Sequence, residues 1–201
     1  MEKTTALGAT DQATFIAMYA DLFEHSPWVA ARAWRPEGFD SYTTMLDTMM
    51  AVVAAASEGE QMSLLRAHPE LAGREAQAGD LTPASELEQA SAGLKHLAPD
   101  EFEEMRQLNA AYLARHGFPF IVCVRHYTKR GILAELERRS RRTTSLEREE
   151  ALAQIGFIAR ARLERGESVA GLAEDLAIPD PGEDGEPESR HSVHPQKTKY
   201  K

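Results

Sequence analysis

The stretch Phe102-Glu103-Glu104-Met105-Arg106-Gln107-Leu108-Asn109-Ala110-Ala111-Tyr112 decides the fold class. Phe102, Met105, Leu108, Ala111 and Tyr112 return every three or four positions, with mostly charged and amide side chains between them. That is the period of a helix with one face against a core. Gly117 follows as a C-terminal stop. The same spacing recurs upstream in Phe15, Ile16, Tyr19, Leu22 and Phe23, and in Tyr42, Met45, Leu46, Met49, Met50 and Val53. Downstream it returns in Ile132, Leu133 and Leu136, then in Leu152, Ile155, Phe157, Ile158 and Leu163 before Gly166. A last short helix is expected around Val169, Leu172 and Leu176. No run alternates convincingly as a strand does. The exception, Phe118-Pro119-Phe120-Ile121-Val122-Cys123-Val124, is apolar and reads either as a short extended segment or as a buried helix start. The expected fold is all-α, a compact single-domain bundle of about eight helices over residues 1–178. Beyond it, prolines and glycines alternate with charges and large apolar residues nearly vanish, so residues 179–201 read as a flexible tail.

Composition narrows the function classes. The 201 residues carry 23 Lys+Arg against 32 Asp+Glu, a formal net charge of -9, and 42% are hydrophobic. An acidic chain without a basic tail is poorly suited to nucleic acid, which demands clustered cations. Arg138-Arg139-Ser140-Arg141-Arg142 is short, has no interleaved aromatics, and reads as a solvated helix end. No apolar run approaches the roughly 18–20 residues of a membrane helix. The N-terminal residues lack a secretory layout. One cysteine forms no intramolecular disulfide and no Cys-only zinc site. A soluble, cytoplasmic protein is expected.

Three places carry residues suited to chemistry. His68 precedes Pro69, which restricts it to extended geometry, so it should stand at a junction between helices, with Pro69 opening the next one and Glu70 in its first turn. An imidazole there can project into a cleft and move protons near neutral pH, or it can serve as a cap or buried hydrogen bonder. In Thr82-Pro83-Ala84-Ser85-Glu86-Leu87-Glu88-Gln89, the Ser85–Glu88 spacing fits a capping box, which needs no active site, while Gln89 adds a two-way hydrogen-bonding amide. Arg162, four residues after Ile158, falls on the inward face of a helix; an inward guanidinium needs an anion, and the alternative is a stem on apolar surface with its head in water. Cys123 lies in an apolar run, where a thiol usually packs. His96, His116 and His126 are scattered without metal-ligand spacing, so no metal is expected. There is no phosphate-binding glycine loop and no nucleophile elbow.

Taken together, Phe23-Glu24-His25-Ser26-Pro27-Trp28-Val29-Ala30, Leu64-Leu65-Arg66-Ala67-His68-Pro69-Glu70-Leu71-Ala72-Gly73, Glu88-Gln89-Ala90-Ser91-Ala92-Gly93-Leu94, Leu108-Asn109 and Gly117-Phe118-Pro119-Phe120-Ile121 resemble the 2-oxo-4-hydroxy-4-carboxy-5-ureidoimidazoline (OHCU) decarboxylase family. The likeness runs in order from about residue 12 to about residue 176. It departs at Glu70, where the family often has Asp, and at His116, where an aromatic is frequent. The chain ends Lys199-Tyr200-Lys201 instead of the peroxisomal Ser-Lys-Leu of some members. The resemblance implies cofactor-free removal of carbon dioxide from OHCU to give (S)-allantoin in urate breakdown. It implies catalytic roles for His68 and Glu88, with acid and base unassigned between them. It also implies substrate contacts from Pro69, Ser85, Gln89, Phe120, Ile121 and Arg162, with Arg160 as the other register for the arginine. The expected partner is the small ureidoimidazoline substrate, and a homodimer is expected because family members commonly form one. The rival reading is a non-catalytic helical interaction module.

Overall fold

The structure, a computed structural model, describes residues 7–8 and 10–166. It is all-α. Among the described residues there are nine α-helices, where the sequence pattern predicts about eight: α1 (Gln12–Tyr19), α2 (Trp28–Ala33), α3 (Tyr42–Ala55), α4 (Glu58–Arg66), α5 (Arg74–Ala78), α6 (Pro83–Ser91), α7 (Pro99–His116), α8 (Lys129–Arg139) and α9 (Thr144–Glu164). Single 3-10 turns follow α1 (Ala20–Leu22), α6 (Leu94–His96) and the extended segment after α7 (Val124–His126). The expected helix around Val169 and the 179–201 tail lie outside the described residues. No helix among the described residues is long and apolar enough to cross a membrane.

Local chemistry sets the helix ends. Asp11, Ser41 and Thr128 each accept a backbone N–H at the start of α1, α3 and α8, satisfying donors that have no partner inside the helix. Ser57 and Glu60 form a reciprocal capping box at α4. α7 closes on Gly117 at φ 78°, a left-handed conformation that favours glycine. The twenty-one-residue α9 runs along the core, packing on α3, α4, α7 and the 3-10 turn after α1. Phe15, Tyr19, Met45, Met49, Leu64, Leu65, Met105, Tyr112, Ile155 and Ala159 are fully buried along these contacts.

Three local expectations are corrected. Pro69 does not open a helix: residues 68–73 form an irregular loop, and α5 begins only at Arg74. Ser85 is not a cap: Thr82 caps α6 with Pro83 as its first residue, and Ser85 sits inside the first turn. Arg139 is not solvated: it is wholly buried.

Candidate active site

His68 owes its place to Pro69. A residue before proline is disfavoured in the helical region, so α4 ends at Arg66 and His68 turns inward, 8% exposed. Its Nδ1 lies 3.0 Å from the Leu64 carbonyl oxygen. That oxygen can only accept, which places the proton on Nδ1 and leaves Nε2 as the basic nitrogen. The loop beyond is clamped by neighbouring helices. Asn109 of α7 donates to the Leu71 carbonyl at 2.9 Å, and Ala72 N–H donates to Gln89 Oε1 of α6 at 2.8 Å. Ala72 holds φ 52°, and a Cβ on Gly73 would stand 2.7 Å from Glu70 Cβ. The Ala72-Gly73 pair is therefore shaped by a tight turn.

Helical spacing puts Ser85, Glu88 and Gln89 on one face of α6 and Ile158, Ala161 and Arg162 on one face of α9. Where these faces meet, Arg162 Nε donates to Glu88 Oε1 at 2.9 Å and Nη2 to Glu88 Oε2 at 3.1 Å. The same Nη2 reaches Glu24 Oε2 at 2.9 Å and Ser85 Oγ at 3.3 Å, while Nη1 donates to the Asp21 carbonyl at 2.9 Å. Glu24 comes from the turn before α2. It accepts from Thr82 Oγ1 at 2.6 Å and Ser85 Oγ at 3.1 Å, and is 2% exposed. Arg165 adds a second guanidinium to Glu88 at 3.1 Å.

The opposite wall is segment 118–124, which is buried, non-helical up to the 3-10 turn at Val124, and has no sheet partner to satisfy its backbone. Side chains supply the partners. Arg139 donates to the Ile121 carbonyl at 2.9 Å and to Glu147 at 2.7 Å, and its guanidinium stands 4.7 Å over the Phe120 ring. Glu147 also accepts from the Tyr112 hydroxyl. Gln154 accepts from Cys123 N–H at 2.9 Å. Of the two readings of this segment, the extended one is observed.

These walls enclose one pocket, with about 510 Å³ of atom-free space partly open to solvent. Every site residue named from the sequence lines it: His68, Pro69, Ser85, Glu88, Gln89, Phe120, Ile121 and Arg162. Arg160 is exposed and lines a separate surface hollow, so of the two arginines Arg162 is the one that lines this pocket. Gln89 Nε2 is buried without a protein partner, a donor available to a ligand. No group of three or more His, Cys, Asp or Glu among the described residues is arranged to hold a metal ion.

The OHCU decarboxylase family model matches residues 8–164. The chain belongs to the OHCU decarboxylase family. It is 39% identical over 153 residues to the 2-oxo-4-hydroxy-4-carboxy-5-ureidoimidazoline decarboxylase of Haloferax volcanii, covering 76% of this chain and 89% of that one. Identity to the Mus musculus protein of the same name is 33% over 157 residues, covering 78% and 88%. Among solved structures, an (S)-allantoin synthase superposes with a TM-score of 0.64 at 28% identity, over 79% of this chain and 52% of that one. A crystal structure of OHCU decarboxylase in the presence of (S)-allantoin shares the fold, with a TM-score of 0.58 at 16% identity, over 78% of this chain and 97% of that one.

In this member of the family the pocket's charges are arranged by burial. Burial pushes the His68 imidazole below its ordinary value, and Arg162 adds to that shift; the Leu64 carbonyl, Glu24 and Glu88 oppose it. The resting imidazole is thus held neutral. Burial also works against the Glu24 carboxylate, but the Arg162 guanidinium and the Thr82 hydroxyl prevail and hold it below the usual range. Burial raises the Cys123 thiol, as expected of packing rather than chemistry. Sequence reasoning missed Glu24 and Arg139. Glu24 carries no periodic mark. Arg139 did carry one, since it continues the Ile132, Leu136 stripe at helical spacing.

Proposed function

We propose that this protein is a cofactor-free carboxy-lyase that converts OHCU to (S)-allantoin, with His68 moving the protons and Glu88 positioning the charges around it. The observation that carries the reading is convergence: a neutral imidazole with a free Nε2, a carboxylate held by two guanidiniums, and an unpaired amide donor line one pocket in a chain of this family.

The chemistry uses what these residues offer. Breaking the bond to the carboxylate releases carbon dioxide and leaves the electron pair on the ring, spread over the adjacent C=N. His68 Nε2 takes the proton of the substrate's hydroxyl, whose oxygen becomes a carbonyl. A proton then reaches the neighbouring ring carbon on one face only, fixing the S configuration. Loss of a carboxylate as neutral carbon dioxide consumes one further proton, drawn from water. Glu88 serves through position: it anchors Arg162 and Arg165 and sets the field at the imidazole. Gln89 Nε2 and Ser85 are placed to meet the ring and ureido groups. Phe120 and Ile121 restrict the face on which the ring lies, and Pro69 sets the angle from which His68 approaches it.

The test is His68→Ala. It should abolish stereospecific allantoin formation from freshly generated OHCU while the far-UV helix signal persists; normal turnover would defeat the assignment. The same reading places the enzyme in the cytoplasm as a homodimer, following the habit of its family, and sedimentation at micromolar concentration would show twice the chain mass.

A further inference from the structure

We infer that Arg125 selects the anionic substrate by meeting the carboxylate that leaves as carbon dioxide; this rests on the decarboxylase reading. Within the pocket the buried charges are already matched. Glu24 and Glu88 face Arg162 and Arg165, and Arg162 is committed through all three nitrogens to protein acceptors. Burial keeps His68 neutral. A substrate carboxylate entering this site therefore finds none of those groups free to balance it, in a protein whose net charge is -9.

Arg125 differs from the other cations. It sits on the 3-10 turn that ends the extended wall and lines the pocket beside Val124 and Ala161. Its hold on the protein is loose. Nη1 lies 3.4 Å from the Ala161 carbonyl oxygen and 3.6 Å from Glu164 Oε2, and 41% of the side chain is exposed. It can exchange Glu164, itself 60% exposed, for an incoming carboxylate without leaving a buried charge unpaired.

The half-exposed position suits the reaction. Charge moves from the carboxylate onto the ring as the bond breaks. A deeply buried cation on the carboxylate would stabilise the starting state against that movement. A solvent-screened arginine captures the anion without holding it. Allantoin carries no carboxylate, so the product leaves without breaking this contact.

The experiment compares wild type, Arg125→Gln and Arg125→Lys on freshly generated OHCU, and measures each protein's affinity for (S)-allantoin by calorimetry. In Arg125→Gln the KM for OHCU should rise about tenfold, the low end for losing a charged partner. Its kcat should not fall, allantoin affinity should stay at the wild-type value, and Arg125→Lys should lie between. In the wild type, added NaCl should raise KM without weakening allantoin, a measurement that needs no variant to fold. An unchanged KM in Arg125→Gln overturns the inference, and so does a parallel loss of allantoin affinity. A wild-type protein that leaves OHCU decay unaccelerated sinks the decarboxylase reading itself, a distinct result.

Discussion

Glu24 and Arg162 stand 138 residues apart in the chain and meet at 2.9 Å, each 2% exposed. The pair joins the turn before α2 to α9, and it carries Ser85 of α6 and the α6 cap Thr82 with it. A buried ion pair adds little over a well-packed apolar one, but removing one partner strands the other.

Glu24→Ala should therefore cost about 3–5 kcal/mol in denaturant unfolding. Glu24→Gln keeps the shape and an acceptor while losing the charge, so it should cost less. The informative readout is turnover: Arg162 loses one of its two carboxylates, and kcat should drop while the helix content of Glu24→Gln is retained. A Glu24→Gln variant with wild-type kcat would contradict a positioning role for this carboxylate.

The Arg139–Glu147 pair makes a sharper test, because both side chains are 0% exposed. Arg139→Leu leaves the Ile121 carbonyl without its donor and the buried Glu147 charge with only the more distant guanidinium of Arg142, 3.8 Å away, at about 3–5 kcal/mol. The double variant Arg139→Leu/Glu147→Leu should recover much of that loss in chemical denaturation. It should not recover activity, because the extended wall stays unanchored. Recovery of both would show that Arg139 is needed for stability alone.

Acid should weaken the protein from two directions. The folded imidazole of His68 is held below its ordinary 6.5, so the unfolded chain binds that proton more readily. The stability it contributes is present above about pH 6.5 and fades as pH falls below it. Glu24 is depressed in the fold, so its contribution exists above the usual carboxylate value near 4.5 and disappears as pH drops through its folded value. Melting temperature should decline below pH 6.5, and a His68→Asn variant should lose the part of that slope that begins near pH 6.5. The acid limb of kcat/KM should lie below 6.5, since the neutral base is required; a limb above 6.5 would contradict the buried imidazole.

Ala72 offers a small stabilisation. Its left-handed φ of 52° costs an L residue about 1–2 kcal/mol, partly offset in a glycine variant by the greater entropy of its unfolded chain. Ala72→Gly should leave melting unchanged or raise it slightly, whereas Ala72→Val, bulkier at the same angle, should lower it.

The periodic parts of this protein are readable from its residues, and the singular ones are not. The stripes through Phe102 and Tyr112, or Tyr42 and Val53, specify α7 and α3 because burial of one helix face demands their spacing. His68 is legible because proline forbids the helix to continue through it. The Ser85–Glu88 spacing misleads because Thr82, three residues earlier, also carries a hydroxyl, and Pro83, tolerated at the first helical position, makes Thr82 the cap. Glu24 has neither period nor punctuation, and its meaning lies in a partner far along the chain. Arg139 was masked by its arginine neighbours: Arg138 and Arg141 are exposed and bond Glu135 and Glu137, and only its place on the Ile132–Leu136 stripe separates it from them.

Segment 118–124 has no ladder of its own and borrows its hydrogen bonds from α8 and α9. This wall of the pocket is thus fastened in part by Arg139, the same side chain that ties α8 to Glu147 of α9. It has no hinge on which to loosen by itself. Heating should extinguish turnover and helicity at one temperature, and tuning this cavity by directed evolution will have to begin in the core behind it.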